Sequence, residues 1–185
     1  SAKEPQVLIT PTTKNRKDSN MQINEVINNE NVDFEGIESP YFLIGLISAF
    51  ENRFQAFADK VMQEISWKQF FAIICINMCK DKPTIKELSD ILGSSHQNVK
   101  QILNKLEQKG FVRIISDDSD KRKQRVELTE YCMDFCERND EESENIMNAM
   151  FNNISIENIK TTIETIIRIE SNLKTIEATL ENKGE

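Results

Sequence analysis

Two short stretches carry residues whose types and spacing could do chemistry. The first is Asp120-Lys121-Arg122-Lys123, inside the charged run 117–125. A cation at the tip of a hairpin is drawn to the negative potential of a nucleic-acid minor groove, most strongly over A·T tracts. Arg122 and Lys121 are placed for that, with Lys123 beside them. Asp120 stands two residues before Arg122 and can pin the guanidinium by a charge-assisted hydrogen bond. The bland alternative is a solvated turn whose charges screen one another. The second stretch is 95–108. Advancing about 100° per residue gathers Val99, Ile102, Leu103 and Leu106 on one side of a helix. Gln97, Gln101, Asn104 and Gln108 fall opposite, flanked by Asn98, Lys100 and Lys105. Asn and Gln can pair with adenine in the major groove, while Lys reaches phosphates. The first turns of such a helix go deepest. Gln97, Asn98 and Gln101 are therefore the base-reading candidates, with Ser95 and His96 at the helix start. The alternative is a neutral surface helix in an Asn-rich chain.

The charge distribution bears on both pairs without deciding either. The 185 residues carry a net charge of −8, which alone disfavours a polyanionic partner. Residues 80–125 nevertheless hold eleven Lys/Arg against seven Asp/Glu, a local +4, leaving −12 on the rest. A basic segment in an acidic chain fits the electrostatic footprint of a polyanion-binding surface, with ordinary surface variation as the alternative; double-stranded DNA is the expected partner. No apolar run approaches a membrane span, and the N-terminus shows no apolar signal core, so no membrane partner and a cytoplasmic location are expected.

The elements that must position these residues follow from periodicity and punctuation. Residues 1–38 are polar, aperiodic and poor in aromatics, and read as a mostly disordered extension, its first twenty residues being either foreign to the natural chain or a native arm. Tyr41, Ile44, Ile47, Phe50, Phe54 and Phe57 recur at helical spacing over about 40–61. A second helix starts at Ser66 and breaks at Lys82-Pro83. Thr84 and Glu87 form a capping box for a third, ended by Gly93. Ser94 and Ser95 compete to cap the fourth, which runs to Gly110. The strand-like runs "FVRII" and "QRVEL" flank the charged tip as a hairpin. A fifth helix runs from Thr129 to about residue 150, and a sixth begins near Ser155. The sixth bears Ile156, Ile159, Ile163, Ile166, Ile169, Leu173, Ile176 and Leu180 at coiled-coil-like steps. A second copy of the chain is the economical cover for that stripe. The fold class is thus mainly α with a small β-hairpin wing: a winged helix-turn-helix at 66–129, and a helical dimerisation region at 39–65 and 130–182.

The stretch "TIKELSDILGSSHQNVKQILNKLEQKGFVRIISDDSDKRKQRVELT" resembles the winged helix-turn-helix of MarR-type transcription regulators. The specific marks are "LEQKGFV" leaving the fourth helix and Asp120-Lys121-Arg122 followed by "VELT". The resemblance implies a homodimer joined by its first and last two helices, a groove-reading helix, and a wing whose tip Arg enters the minor groove. By position Arg122 is that Arg and Asp120 its companion. Asp118 stands where the family often has Pro, which bears on the rigidity of the tip. The implied function is sequence-specific binding of an A·T-rich inverted repeat, as a repressor released by a small effector. Phe50, Trp67 and Phe71 are candidate walls of the effector pocket, with core packing as their alternative role.

Cys75 and Cys79 are four residues apart, as are Cys132 and Cys136. Each pair shares a helix face, so a thiolate metal site or a redox switch is conceivable, but core packing is the leading reading. No metal and no cofactor are expected. His96 is the single histidine, and no phosphate loop, nucleophile elbow or metal motif is present. The chain does not read as an enzyme. A thiol- or metal-responsive switch on the same fold, or a dimeric adaptor without DNA binding, are the rival readings.

Overall fold

The computed structural model describes residues 36–182, and the chain divides into two compact units at Trp67. The expected extension at 1–38 lies outside the described residues except for its last three positions.

In the first unit, α1 spans Ser39–Val61, entered through Pro40 in its first turn, where a missing N–H leaves no bond unmade. The chain then turns back, and Asp59 Oδ1 accepts the Trp67 N–H at 2.6 Å. Phe54 stacks on Phe50 at 5.9 Å between centroids and meets Trp67 edge-on at 4.7 Å.

The second unit contains α2 (Trp67–Met78, but for its first residue), α3 (Ile85–Leu92), α4 (His96–Gln108), β1 (Val112–Ser116), β2 (Gln124–Leu128), α5 (Glu130–Met150) and α6 (Ile156–Glu181). Thr84 caps α3 through the full box, its hydroxyl accepting from Glu87 N–H while the Glu87 carboxylate takes the Thr84 N–H at 2.7 Å. Gly93 ends α3 at φ 59°, a left-handed position that glycine adopts without steric cost. Ser95, rather than Ser94, caps α4 by accepting from Asn98 N–H. Helix α4 stops at Gln108, two residues before the expected end. Gly110 at φ 81° turns the chain so that Phe111 N–H reaches the Leu106 carbonyl. Phe111 is accordingly a buried core residue rather than the first residue of the strand.

β1 and β2 pair antiparallel, with Val112 opposite Leu128 and Ser116 opposite Gln124. The hairpin gains a third, single-bridge partner where Thr84 meets Arg125 and Val126 N–H donates to the Pro83 carbonyl. Val99, Leu103 and Leu106 of α4 are fully buried beside Leu88, Val112 and Val126. Phe111 makes edge contacts with Tyr131 and Phe135, which brings in α5. Thr129 caps α5 and also donates its hydroxyl to the Gly110 carbonyl at 2.6 Å, so one residue ends the hairpin and starts the helix. Among the described residues no helix is long and apolar enough to cross a membrane.

Candidate nucleic-acid interface

Helix α4 presents its polar face to water because the opposite face is consumed by the core. Ser95, His96, Gln97, Asn98, Lys100, Gln101 and Lys105 are all exposed. Asn98 differs from the two glutamines: its Nδ2 donates to Ser94 Oγ at 2.7 Å, which draws its amide toward the helix start. The helix is fixed at its far end by two contacts. Lys109 Nζ donates to the buried Gln69 Oε1 at 3.3 Å. Glu107 Oε1 accepts the Ile114 N–H of β1 at 2.8 Å, tying the hairpin to α4.

The hairpin tip is a folded turn rather than a loose loop. Asp117 N–H donates to the Lys123 carbonyl, and Lys123 N–H to that of Asp120. Asp117 is buried, and its Oδ1 accepts from Ser119 N–H (2.8 Å), Ser119 Oγ (2.5 Å) and Asp120 N–H (2.9 Å). Its Oδ2 accepts from Arg125 Nε. The Ser119 hydroxyl and then Arg125 hold this carboxyl far below the usual carboxylate range. Asp120 Oδ1 accepts both the N–H and the Nε of Arg122, each at 3.1 Å, and its pKa is lowered chiefly by that guanidinium. The Arg122 side chain is 92% exposed, and Lys121 and Lys123 are exposed beside it. The structure therefore forms the Asp120–Arg122 pair that the sequence suggests. It also shows what stiffens the turn in the absence of a proline at 118: the Asp117 carboxylate does so.

The comparisons with known proteins bear on this arrangement. A sequence model described as MarR family matches residues 74–123, from the middle of α2 to the wing tip. The chain carries a MarR-type winged helix. In three dimensions it is similar to a MarR/EmrR-family transcriptional regulator from Acinetobacter sp. ADP1 (15% identity, 75% of this chain and 99% of that one, TM-score 0.66). It is also similar to S. aureus MepR in a DNA complex (18%, 74% and 99%, 0.63). A Cys-to-Ser mutant of E. coli MarR complexed with operator DNA is a third (20%, 80% and 97%, 0.59). At these identities the similarity is one of fold. No curated protein matches the sequence. The MarR-type segment 74–123 contains α4 and the turn through Arg122, so the sequence match and the exposed polar groups coincide.

The other candidates lie outside this segment or on its buried side. Phe50 and Trp67 belong to the first unit, where both touch Phe54; Phe71 belongs to the second. Phe50 is 54% exposed and Phe71 38% exposed. Cys75 and Cys132 are buried, while Cys79 and Cys136 are half-buried. Burial raises all four thiols, Cys132 to about 12. Such groups stay protonated at neutral pH and are poor nucleophiles. Among the described residues no group of three or more His, Cys, Asp or Glu is arranged to hold a metal, so a four-thiolate centre is not formed. Sequence reasoning missed Asp117, Arg125, Glu107 and Lys109. For Asp117 a signal was available, because Asp-x-Ser favours a turn in which the carboxylate accepts from the backbone.

Proposed function

We propose that this protein is a cytoplasmic, sequence-specific DNA-binding transcription regulator that acts as a homodimer. The observation that carries the reading is the pairing of an exposed amide face on α4 with a wing tip whose Arg122 is extended and oriented by Asp120. Gln97, Asn98 and Gln101 are assigned to base reading, and Lys100, Lys105, Lys121 and Lys123 to phosphates. Arg122 takes the minor groove. The operator is an A·T-rich inverted repeat with half-sites about one helical turn, roughly 10 bp, apart. Repression and release by a small effector complete the reading. The dimer is supported by the uncovered apolar stripe of α6, and DNA binding by MepR and MarR being seen with DNA on the same fold.

Selection from random DNA, followed by titration at several salt concentrations, tests it. Arg122→Ala weakens binding to operator and scrambled duplex alike and lowers the salt slope by about one. Gln101→Ala loses on the order of 1–3 kcal/mol at the operator only, with the slope unchanged. Selection returning a G·C-rich site without symmetry overturns the base assignment. Wild-type affinity and slope in Arg122→Ala make the hairpin a solvated turn and favour a dimeric adaptor.

A further inference from the structure

The wing contains two arginines with opposite surroundings. Arg122 is held by Asp120 at the tip, and the rest of it reaches into water. Arg125, three residues on in β2, is half-buried and engaged by the protein on two sides. Its Nε donates to Asp117 Oδ2, and its Nη1 donates to the Lys82 carbonyl at 2.6 Å. Lys82 lies in the segment that joins α2 to α3, and its ammonium pairs with Glu127 of the same strand. The next two residues, Pro83 and Thr84, receive β2 through the Val126 N–H bond and the Thr84–Arg125 bridge.

These bonds form one continuous relay. It runs from the Lys82 carbonyl through the Arg125 guanidinium to the Asp117 carboxylate, from Asp117 to the Asp120 N–H, and from the Asp120 carboxylate to Arg122. A planar guanidinium suits the second link, since it can hold a carbonyl and a carboxylate at a fixed angle; an ammonium fixes no such angle. On the other edge the Glu107–Ile114 bond holds β1 to α4. The base of the wing is thus held from both flanks, and the tip is referred back to the helix-turn-helix through Arg125.

We propose that Arg125, with Asp117, is the positioning residue of the wing: it contacts no DNA and sets where Arg122 stands relative to α4. The proposal rests on the DNA-binding reading given above. Its signature is that Arg125 acts through Arg122, so the two substitutions are not additive.

The test uses the full chain and the duplex selected from random DNA, with a scrambled duplex alongside. Arg125→Gln weakens binding to both about tenfold, and Arg125→Lys does nearly the same although it keeps the charge. In an Arg122→Ala background, Arg125→Gln adds less than about twofold. Amide hydrogen exchange supplies the readout that general destabilisation would not give: in Arg125→Lys, protection falls at 117–123 while that of 99–106 in α4 is retained. If Arg125→Gln costs the same factor with and without Arg122, or Arg125→Lys restores full binding, Arg125 is a direct phosphate contact and the proposal is overturned. If Arg122→Ala weakens binding and Arg125→Gln does not, the proposal alone falls. If Arg122→Ala binds as the parent does, the wing reading falls and takes the proposal with it. Should Arg125→Gln fail to fold, Arg125→Lys and Asp117→Asn carry the same comparison.

Discussion

Helices α4 and α6 carry the same kind of apolar stripe and end in opposite environments. In α4, Val99, Leu103 and Leu106 lose all exposure to water. In α6, none of the 26 residues is buried, and Ile163, Leu173, Ile176 and Leu180 each remain more than half exposed. Both patterns announce a face that is better covered. Neither says by what. Gly93 and Gly110 turn the chain back on itself at both ends of α4, which places α3 and β1 against it. Helix α6 keeps a long apolar face in water, more than a single soluble chain ordinarily shows. What differs is the reach of the partner: α4 is satisfied by elements next to it in the chain, α3 and β1, whereas α6 calls for a second surface.

The largest expected effect breaks the comparison on the α6 side. The parent chain sediments as a dimer at micromolar concentration, and Ile163→Glu sediments as a folded monomer, because an unpaired carboxylate would have to enter an apolar interface. A monomeric parent at that concentration would remove the need for a partner surface. The next effect sharpens the α4 side. Leu103→Ala costs about 2–5 kcal/mol in denaturant unfolding, since a fully buried side chain leaves a cavity. Leu173→Ala, placed in the Ile163→Glu monomer, changes stability by less than about 0.5 kcal/mol, as an exposed substitution does. Equal costs at the two positions would erase the distinction between the two helices.

The smallest effect concerns acid, and it separates the wing from both helices. Asp117, Asp120, Glu87 and Glu127 all have lowered pKa values in the folded chain, held by Ser119 and Arg125, by Arg122, by Thr84 and by Lys82 respectively. A carboxyl depressed on folding contributes stability above its unfolded value and loses it as pH falls through the folded one. The unfolded values lie near 4, so the melting temperature is expected to hold between pH 7 and about 5.5. Loss begins below that, and the wing amides are the first to exchange. A fall in protection at 117–123 already at pH 6 would show that these carboxylates are not tied as described.

Much of the candidate interface was legible in the chain because it is local. A capping box, two left-handed glycines, a helix period and an alternating hairpin each depend on residues within one or two turns of one another. They place α3, α4 and the wing almost where the structure has them. The Asp120–Arg122 pair was legible for the same reason, being two residues long. Small displacements remained: Ser95 takes the cap from Ser94, and Phe111 goes to the core instead of the strand, because Gly110 turns it toward Leu106.

The sequence by itself determined which helix shows amides to water, which turn shows cations, and which stripe is left wanting cover. Those follow from short-range sterics and from the period of a helix. Only the tertiary structure decided that the other arginine of the wing, Arg125, is committed to the protein. Arg122 and Arg125 are three residues apart and chemically identical. What separates them is a carbonyl at Lys82, more than forty residues earlier, which meets β2 only once α2, α3 and the hairpin have packed. A contact of that span is set by the shape of the packed chain, and no local spacing encodes it.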